Sequence, residues 1–477
     1  LSIMGVAVAV GAGIFSVGAQ AAAFHAGPAV IISFLIAGIV CGAAVMCYAE
    51  FASMIPVAGS AYTFTYTTVG EIMAWIIGWD LILEMLMAGS VISKYWGVYL
   101  NDFMRLMGWN ANTNLTFGSF HIDIAPIIIV AFFTTLLVFG TKIGARVDGA
   151  MTVLKIAIVF FVVIVGFFYV KASNFTPFIP PSQPASTVEG SSAVTGVMTQ
   201  PLWQFATGMT PSVYGVPGIL SGAALVFFAF IGFDVVATAS EETKNPHKNV
   251  PLGIGVGMLL IIVMYMLVAV VTTGMVSYAD LAKQDSPSLA TAFELVGADW
   301  AAKIISFGIV LGLATVVMVL LLGLTRIVFA MSRDGLLPRG LSKTGKHGTP
   351  AALQIVVGAV VALVAAFFDI GVLSDMVNIG TLSAFTLVAI SIPIMRKKRP
   401  DLPRAFKMPG SPWIPILIAV ANFWLMLNLS VLTWIRFVVW LVVGFAIYFG
   451  YGYWHARLGK GDLTETLSAE TDKAVNG

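Results

Sequence analysis

One lysine in the middle of an apolar run is the most informative ionisable residue of this sequence. Lys155 lies nine residues after Arg146, which is about 14 Å along a helix that rises 1.5 Å per residue. That depth is near the centre of a bilayer, where a lysine costs about 2.5–3.5 kcal/mol on insertion scales. Lys155 is therefore expected to face a partner or a cavity.

Two carboxylates occur within another apolar run. Glu84 follows Asp80 by four residues, so both lie on one face of a helix. Carboxylates at membrane depth usually face a cavity, and Glu84 could then meet the ammonium or guanidinium group of a ligand. The alternatives are a buried pair with Lys94 and a protonated, neutral Glu84.

Glycines interrupt two of the apolar runs. The segments are Gly11–Gly13 in the first run and Phe230–Asp234, which contains Gly232, in the sixth. Each glycine lowers helix propensity by about 1 kcal/mol relative to alanine, so both runs are expected to break there. The alternative is close helix packing through small residues. Asp234, directly after the second break, would either cap the freed N–H groups or help hold a cationic ligand.

The composition excludes a soluble protein. Of 477 residues, 59% are hydrophobic and only 10% are charged, against about 25% charged in soluble domains. The net charge is only +2, and the basic residues are scattered rather than clustered in the basic patch that is typical of nucleic-acid-binding proteins. Cys41 and Cys47 lie in one run and predict no disulfide framework. The five histidines have no partners at metal-ligand spacing, and no metal or cofactor is expected.

The apolar runs predict an all-α membrane protein with twelve spans. They cover about 1–24, 29–54, 71–103, 124–140, 149–170, 217–242, 250–276, 301–332, 351–368, 373–395, 412–431 and 434–454. Of the 25 lysines and arginines, 17 lie on the side of the termini and five on the other side. The positive-inside rule therefore predicts that both termini are cytoplasmic. Residues 171–216, rich in Ser, Thr, Pro and Gly, are predicted to be a flexible extracellular loop, and 456–477 a disordered tail.

Several long motifs resemble the cationic amino acid transporter family of the amino acid, polyamine and organocation (APC) superfamily. They are HAGPAVIISFLIAG (25–38), CYAEFASMIPVAGSAYTFTYTTVGE (47–71), FAFIGFDVVATASEETKNPHKNVPLGI (228–254), RIVFAMSRDGLLP (326–338), NIGTLSAF (378–385) and RKKRPDLPRAFKMP (396–409). The resemblance covers nearly the whole chain, and twelve spans resemble the bacterial branch of the family.

The resemblance implies the leucine-transporter-type fold. Residues 1–170 would form a first repeat of five helices and 217–395 an inverted second repeat. Residues 396–455 would add two helices. The first and sixth helices would be broken at mid-membrane and enclose the substrate site. Two departures are a longer loop after Lys171 than is expected of a bacterial relative, and Ala12 where relatives often have Ser or Thr.

The resemblance and the chemistry of broken helices together define a candidate substrate site. Free N–H groups would bind a carboxylate and free carbonyls an ammonium. Lys155 is implied to be the proton-coupling residue, which ties helix five to helices one and eight when charged and releases them when neutral. The alternative is a permanently charged tether. The substrate-binding candidates are Gly11, Ala12, Gly13, Phe228, Ala229, Ile231, Phe233, Asp234, Glu84 and Leu320, of which Phe233 and Leu320 would bound the side-chain pocket.

The expected function is proton-coupled import of L-amino acids, cationic or small and neutral, across the plasma membrane. Protons would be the only coupling ion. An exchanger or polyamine carrier without proton coupling is the alternative within transport. A membrane enzyme is disfavoured because no catalytic motif such as HExxH occurs, and primary active transport because GxxxxGK[ST] is absent. The partners are the substrate and the bilayer, and the oligomeric state and any accessory membrane peptide stay open.

Overall fold

The computed structural model describes residues 9–11, 13–53, 62, 70–109, 113–117, 120–140, 145–185, 196–232, 246–284, 287–345, 349–398, 400, 404 and 406–456. Within these ranges the chain is almost entirely helical. Lipid tails cannot hydrogen-bond to a backbone, so a spanning segment must satisfy its own N–H and C=O groups.

The α-helices are numbered here in chain order. They are α1 (Gly18–Ala21), α2 (Val30–Ser53), α3 (Glu71–Leu106), α4 (Ile124–Val138), α5 (Ala145–Phe167), α6 (Leu202–Thr207), α7 (Gly215–Val226), α8 (Pro246–Met275), α9 (Tyr278–Ala282), α10 (Leu289–Leu295), α11 (Asp299–Arg333), α12 (Ala351–Phe367), α13 (Ile370–Lys398), α14 (Trp413–Leu427), α15 (Val431–Ile447) and α16 (Tyr453–His455).

Shorter elements connect or extend these helices. The π-helical turns are Gly13–Val17, Ala22–Ala26 and Tyr448–Gly452, and the 3₁₀ turns are Gly27–Ala29, Ala172–Phe175, Phe227–Phe230 and Arg339–Ser342. Two antiparallel strand pairs occur, β1 (Asn114–Phe117) with β2 (Phe120–Asp123), and β3 (Gln183–Pro184) with β4 (Ser212–Val213).

The helices have the length and apolar character that a bilayer requires. Among the described residues, seven helical stretches of 18 residues or more could cross a membrane, and four shorter apolar helices accompany them. Large apolar side chains such as Phe167 and Phe168 are exposed on the outer surface, as lipid contact requires. The count of twelve spans stays a prediction, because Gly13–Glu50 is one continuous stretch through two of the predicted spans.

Helix α3 lies in the centre of the helix packing. It packs along α11 and α13. In its most apolar stretch of 18 residues, 72% of the residues are buried. Helix α13 also packs against α2 and α14, and α11 against α5. Asp80 and Glu84 of α3, which are both buried, therefore face protein rather than lipid.

A buried ionic cluster joins the ends of α2 and α13. Glu50 is fully buried and accepts two hydrogen bonds from Arg396, at 2.9 and 2.7 Å. The backbone N–H of Met408 donates to the same carboxylate at 2.6 Å, and Arg404 lies 3.7 Å away. Arg396 and Arg404 of the RKKRPDLPRAFKMP motif thus neutralise a buried charge.

The described parts of the segment 171–216, residues 171–185 and 196–216, differ from the flexible loop that its composition predicts. In its described residues, Lys171 N donates to Gly274 O, and Leu202 N donates to Leu429 O. The first turn of α15 donates two hydrogen bonds in return, from Val431 N to Gln200 O and from Leu432 N to Met198 O. Backbone pairing with distant segments, which composition does not report, fixes these residues.

Candidate functional site

The first apolar run bends at its glycines. Ala9 is helical, Val10 and Gly11 form a bend, and the chain resumes at Gly13 as the π-helical turn Gly13–Val17. Turns of this kind are frequent at functional sites. The first N–H groups of the resumed helix have no partner within it, so this end can donate hydrogen bonds to an anionic group.

The sixth run stops in a different way. Helix α7 tightens into the 3₁₀ turn Phe227–Phe230, after which Ile231 is extended, with φ −64° and ψ 141°. Gly232 follows with φ +93°, a backbone conformation that side chains other than glycine disfavour. The helix therefore ends at these residues, and the carbonyls of its last turn become available as acceptors.

The two interruptions lie against each other. A Cβ atom added to Gly13 would lie 2.6 Å from the Cβ and 2.9 Å from the backbone N of Ala229, and closer still to its Cα. Only a hydrogen atom fits between the two backbones at this point. The structure thus brings together two of the predicted substrate-binding residues, 216 positions apart in the chain.

A tyrosine of α8 joins the same two segments. The Tyr265 hydroxyl lies 2.6 Å from Ala9 O and 2.8 Å from Ala229 O. Its ring packs on Phe34 and Phe230, with centroid distances of 5.7 and 5.1 Å. Tyr265 is completely buried, so the ring and its hydroxyl are held firmly between the two breaks.

Neighbouring helices hold two further carbonyls of these segments. Tyr99 of α3 donates to Phe15 O at 2.6 Å, and Asn378 of α13 donates through Nδ2 to Leu225 O at 3.3 Å. Asn378 is the first residue of the NIGTLSAF motif. The motif therefore includes a side chain that supports the helix before the second break.

The C-terminal end of the first apolar run packs tightly against the start of the sixth apolar run. Tyr214 N donates to His25 O at 2.7 Å, and Ser33 Oγ donates to Ile219 O at 2.8 Å. A Cβ on Gly218 would collide with the His25 carbonyl. These contacts hold the two segments together at this end.

Lys155 is buried, with 3% of its surface exposed. Its Cγ and Cδ would lie 2.8 and 3.3 Å from a Cβ added to Gly312 of α11, and Ile158 fits against Gly308 of the same helix in the same way. The two glycines, one turn apart, form a groove on α11 that receives these two side chains of α5. The lysine thus packs on helix eight of the predicted arrangement.

The two buried carboxylates of α3 lie on one face of the helix, as predicted. Glu84 and Asp80 are both at most 1% exposed, and Asp80 accepts a hydrogen bond from Ser383 of α13 at 2.8 Å. The alternative pair of Glu84 with Lys94 is wrong, because ten residues of uninterrupted helix separate them by about 15 Å. The carboxylates near Lys94 are those of Asp123 and Asp369.

Other predicted site residues are placed as follows. Phe228, 5% exposed, is in the 3₁₀ turn and accepts a hydrogen bond from Ile231 N at 3.3 Å. Leu320 is half-buried on α11, and its Cβ would lie 3.9 Å from a Cβ on Gly89 of α3. Its role in a substrate pocket stays a prediction. Ala12, Phe233 and Asp234 lie outside the described residues.

Sequence reasoning did not identify Tyr265 or Tyr99. Both lie in long apolar runs, where tyrosine is a common residue near lipid headgroups. A buried hydroxyl must find an acceptor, and a broken helix nearby supplies free carbonyls. For Tyr265, in the middle of the run 250–276, this central position was the available signal, whereas Tyr99 lies near the end of its run.

The described residues define a membrane protein of many apolar helices, in which the bend of the first apolar run lies against the end of the helix in the sixth run. Residues 1–451 match the family model for amino acid permeases. The chain is 42% identical to the branched-chain amino acid permease BcaP of Bacillus subtilis, over 96% of this chain and 93% of the relative. It is 38% identical to the methylthioribose transporter of Bacillus subtilis, over 96% and 94%.

A plant relative is also similar, over part of its length. The vacuolar cationic amino acid transporter 2 of Arabidopsis thaliana is 36% identical over 83% of this chain, which spans 59% of that relative. The chain therefore belongs to the amino acid permease family of the APC superfamily, which confirms the resemblance in the sequence motifs. It is a multi-pass membrane protein of a transporter family, not an enzyme.

Proposed function

We propose that the chain imports L-amino acids by proton-coupled alternating access, with branched-chain amino acids as the first substrates to test. The name of the 42% identical relative supports this substrate class. The protein would lie in the plasma membrane with both termini in the cytoplasm, as the distribution of basic residues indicates.

The proposed architecture is two inverted repeats of five spans, 1–170 and 217–395, followed by two spans in 396–455. It is supported by the position of the two interruptions, in apolar runs that are five apart. A protein that binds substrate between two such segments needs them to be adjacent, and Gly13 lies against Ala229. This contact is the single observation that carries the proposal.

The substrate would bind across the two breaks. Its carboxylate would accept from the N–H groups at Gly11–Gly13, and its ammonium would donate to the carbonyls of Phe228, Ala229 and Ile231. Both charges need such partners, since no water solvates them at this depth.

The closed contacts between His25, Gly218 and Ser33 support a state that is shut on the extracellular side of the predicted topology. Alternating access requires a second state in which these segments separate. Lys155 would control that change. Charged, it would hold α5 against α11, and neutral, it would release them.

Cationic amino acids are a second candidate substrate class. The buried carboxylate of Glu84 on α3 favours them, since a guanidinium or ammonium on the substrate side chain would neutralise it. An exchanger without proton coupling is the alternative mechanism. It would need an amino acid inside the vesicle and would ignore a proton gradient.

Uptake into proteoliposomes tests the proposal. Radiolabelled L-leucine, L-isoleucine, L-valine, L-arginine and L-alanine are offered with and without an inward proton gradient. Gradient-stimulated uptake of the three branched substrates is expected. Uptake of arginine alone would show that the substrates are cationic amino acids. Uptake that depends only on amino acid inside the vesicle would identify an exchanger.

A further inference from the structure

An exposed apolar stripe on α13 ends in two lysines. Ile390 and Ile394 are exposed on this helix. Lys397 and Lys398 follow Ile394 by three and four residues in the last turn of α13, and both are exposed. Residues three or four positions apart lie on one face of a helix. The surface that contacts lipid tails along α13 therefore continues into two ammonium groups.

Helix α14, which packs against α13, has a stripe of the same kind. Trp413, Leu417 and Val420 lie on one face of α14, and all three are exposed. Trp413 is the first residue of the helix, with 77% of its surface exposed. Tryptophan is enriched at the headgroup level of a bilayer, where its ring meets apolar and polar surroundings at once. Trp413 thus marks the depth of the lipid headgroups at this end of α14.

The segment between the two helices brings a third lysine to the same place. The Arg396 side chain, in the last turn of α13, donates to Met408 O at 2.7 Å. Lys407, directly before Met408, is exposed. The hydrogen bond therefore holds Lys407 beside the end of α13, where the other two lysines lie.

The region around these lysines has an excess of positive charge. Residues 396–409 include six basic residues and one acidic residue, Asp401. Arg396 and Arg404 contact Glu50, and an excess of four positive charges remains when this carboxylate is counted too. Basic clusters directly beside the end of a spanning helix attract anionic lipid headgroups.

We infer that Lys397, Lys398 and Lys407 bind the headgroup of an anionic phospholipid, whose acyl chains lie along α13 and α14. The three ammonium groups contact the phosphate, and the Trp413 indole lies at the level of the glycerol backbone. A lipid fits this surface better than a soluble anion does, because the ammonium groups lie at the end of apolar stripes that acyl chains cover. The inference goes beyond the proposed function and does not depend on the transported substrate.

The lipid site is connected with the buried ionic cluster at Glu50. Met408 N donates to the Glu50 carboxylate at 2.6 Å, and Arg396 donates to it at 2.7 Å. Lys407 and Lys397 are the chain neighbours of these two residues. A headgroup that binds both lysines therefore holds the segment in its contact with α2, and a ligand that binds only the folded state raises its stability.

Native mass spectrometry of the purified full-length protein tests the inference. Dioleoyl phosphatidylglycerol and dioleoyl phosphatidylcholine have the same acyl chains and differ in net charge, and each is titrated separately. Each lysine near an anionic surface contributes about fivefold in affinity. The wild type is therefore expected to bind the first phosphatidylglycerol more than about tenfold more tightly than phosphatidylcholine. The variant Lys397→Gln/Lys398→Gln/Lys407→Gln is expected to bind the two lipids with affinities within about twofold of each other.

A variant with the same loss of charge elsewhere is the matched control. Arg339→Gln/Lys343→Gln/Lys346→Gln removes three basic residues from another loop on the predicted cytoplasmic side, and it is expected to keep the wild-type preference. Thermal unfolding without added lipid is expected to be the same for all three proteins, which shows that the variants are folded. Phosphatidylglycerol is expected to raise the unfolding temperature of the wild type and the control, but not that of the lysine variant.

Four results would overturn the inference. The first is an unchanged preference for phosphatidylglycerol in the lysine variant, and the second is an equal loss in the control, which would indicate a general effect of charge. Displacement of bound phosphatidylglycerol by inorganic phosphate would identify a site for a free anion. Dimers that phosphatidylglycerol dissociates would show that a second copy of the chain covers the stripes. Amino acid uptake tests the proposed function separately from all four.

Discussion

Substitution of Gly13 by alanine tests the contact between the two breaks. The added Cβ would lie 2.6 Å from the Ala229 Cβ, whereas carbon atoms in contact are about 3.5–4.0 Å apart. Because the Ala229 Cα would lie closer still, the two segments must separate by about 1.5 Å. Overpacking of this kind costs about 1–3 kcal/mol, and a value of about 2 kcal/mol changes a two-state ratio about 30-fold.

The clash applies to the state in which the two segments touch. Gly13→Ala is therefore expected to disfavour the state closed to the outside, to slow uptake about 30-fold and to keep substrate binding from the outer side. Proteoliposome uptake gives the rate, and radioligand binding to the purified protein gives the affinity. Elution as a single species in size-exclusion chromatography shows that the variant is folded.

Substitutions of two other glycines serve as controls for this result. Among the described residues, a Cβ on Gly255 of α8 meets nothing within 4 Å, and one on Gly11 meets only Ala9 O at 3.9 Å. Gly255→Ala is expected to transport like the wild type, and Gly11→Ala to lose less activity than Gly13→Ala. Wild-type uptake by Gly13→Ala, or equal losses in all three variants, would refute the steric reasoning.

Two further predictions concern charged residues. Lys155→Ala is expected to abolish the stimulation of uptake by an inward proton gradient while substrate binding remains; persistent stimulation in the same vesicles would make Lys155 a structural tether. Glu50→Ala leaves Arg396 without its carboxylate and is expected to destabilise the fold by about 3 kcal/mol, at the lower end for a broken buried ion pair, because the Arg396 side chain is 28% exposed. Asp280→Asn, which breaks the exposed pair with Lys283, should change stability by less than about 1 kcal/mol; thermal unfolding that ranks the two variants equally would contradict this difference.

The helix positions followed from the sequence because a bilayer fixes the length of an apolar helix. The run predicted at 71–103 is α3, Glu71–Leu106, and that at 301–332 is α11, Asp299–Arg333. Both interruptions fall at the predicted glycines, since a local loss of helix propensity is visible in one short segment. Helix ends and breaks are local properties, which a single sequence reports well.

Contacts between distant segments did not follow from the sequence. Nothing local indicates that Gly13 lies on Ala229, or that Tyr265 bonds to a carbonyl of each segment. The same limit explains the 171–216 segment, whose polar composition predicted flexibility while Leu202 bonds to Leu429. Non-local backbone pairing depends on which segments the fold brings together.

Uptake by the wild-type protein tests the central claim most directly. Purified protein is reconstituted into liposomes with an inward proton gradient, and initial rates are measured for radiolabelled L-leucine. The account predicts saturable uptake that an inward gradient stimulates and a protonophore removes. Vesicles that accumulate no amino acid from the panel under either condition, with the protein folded and inserted, would contradict it.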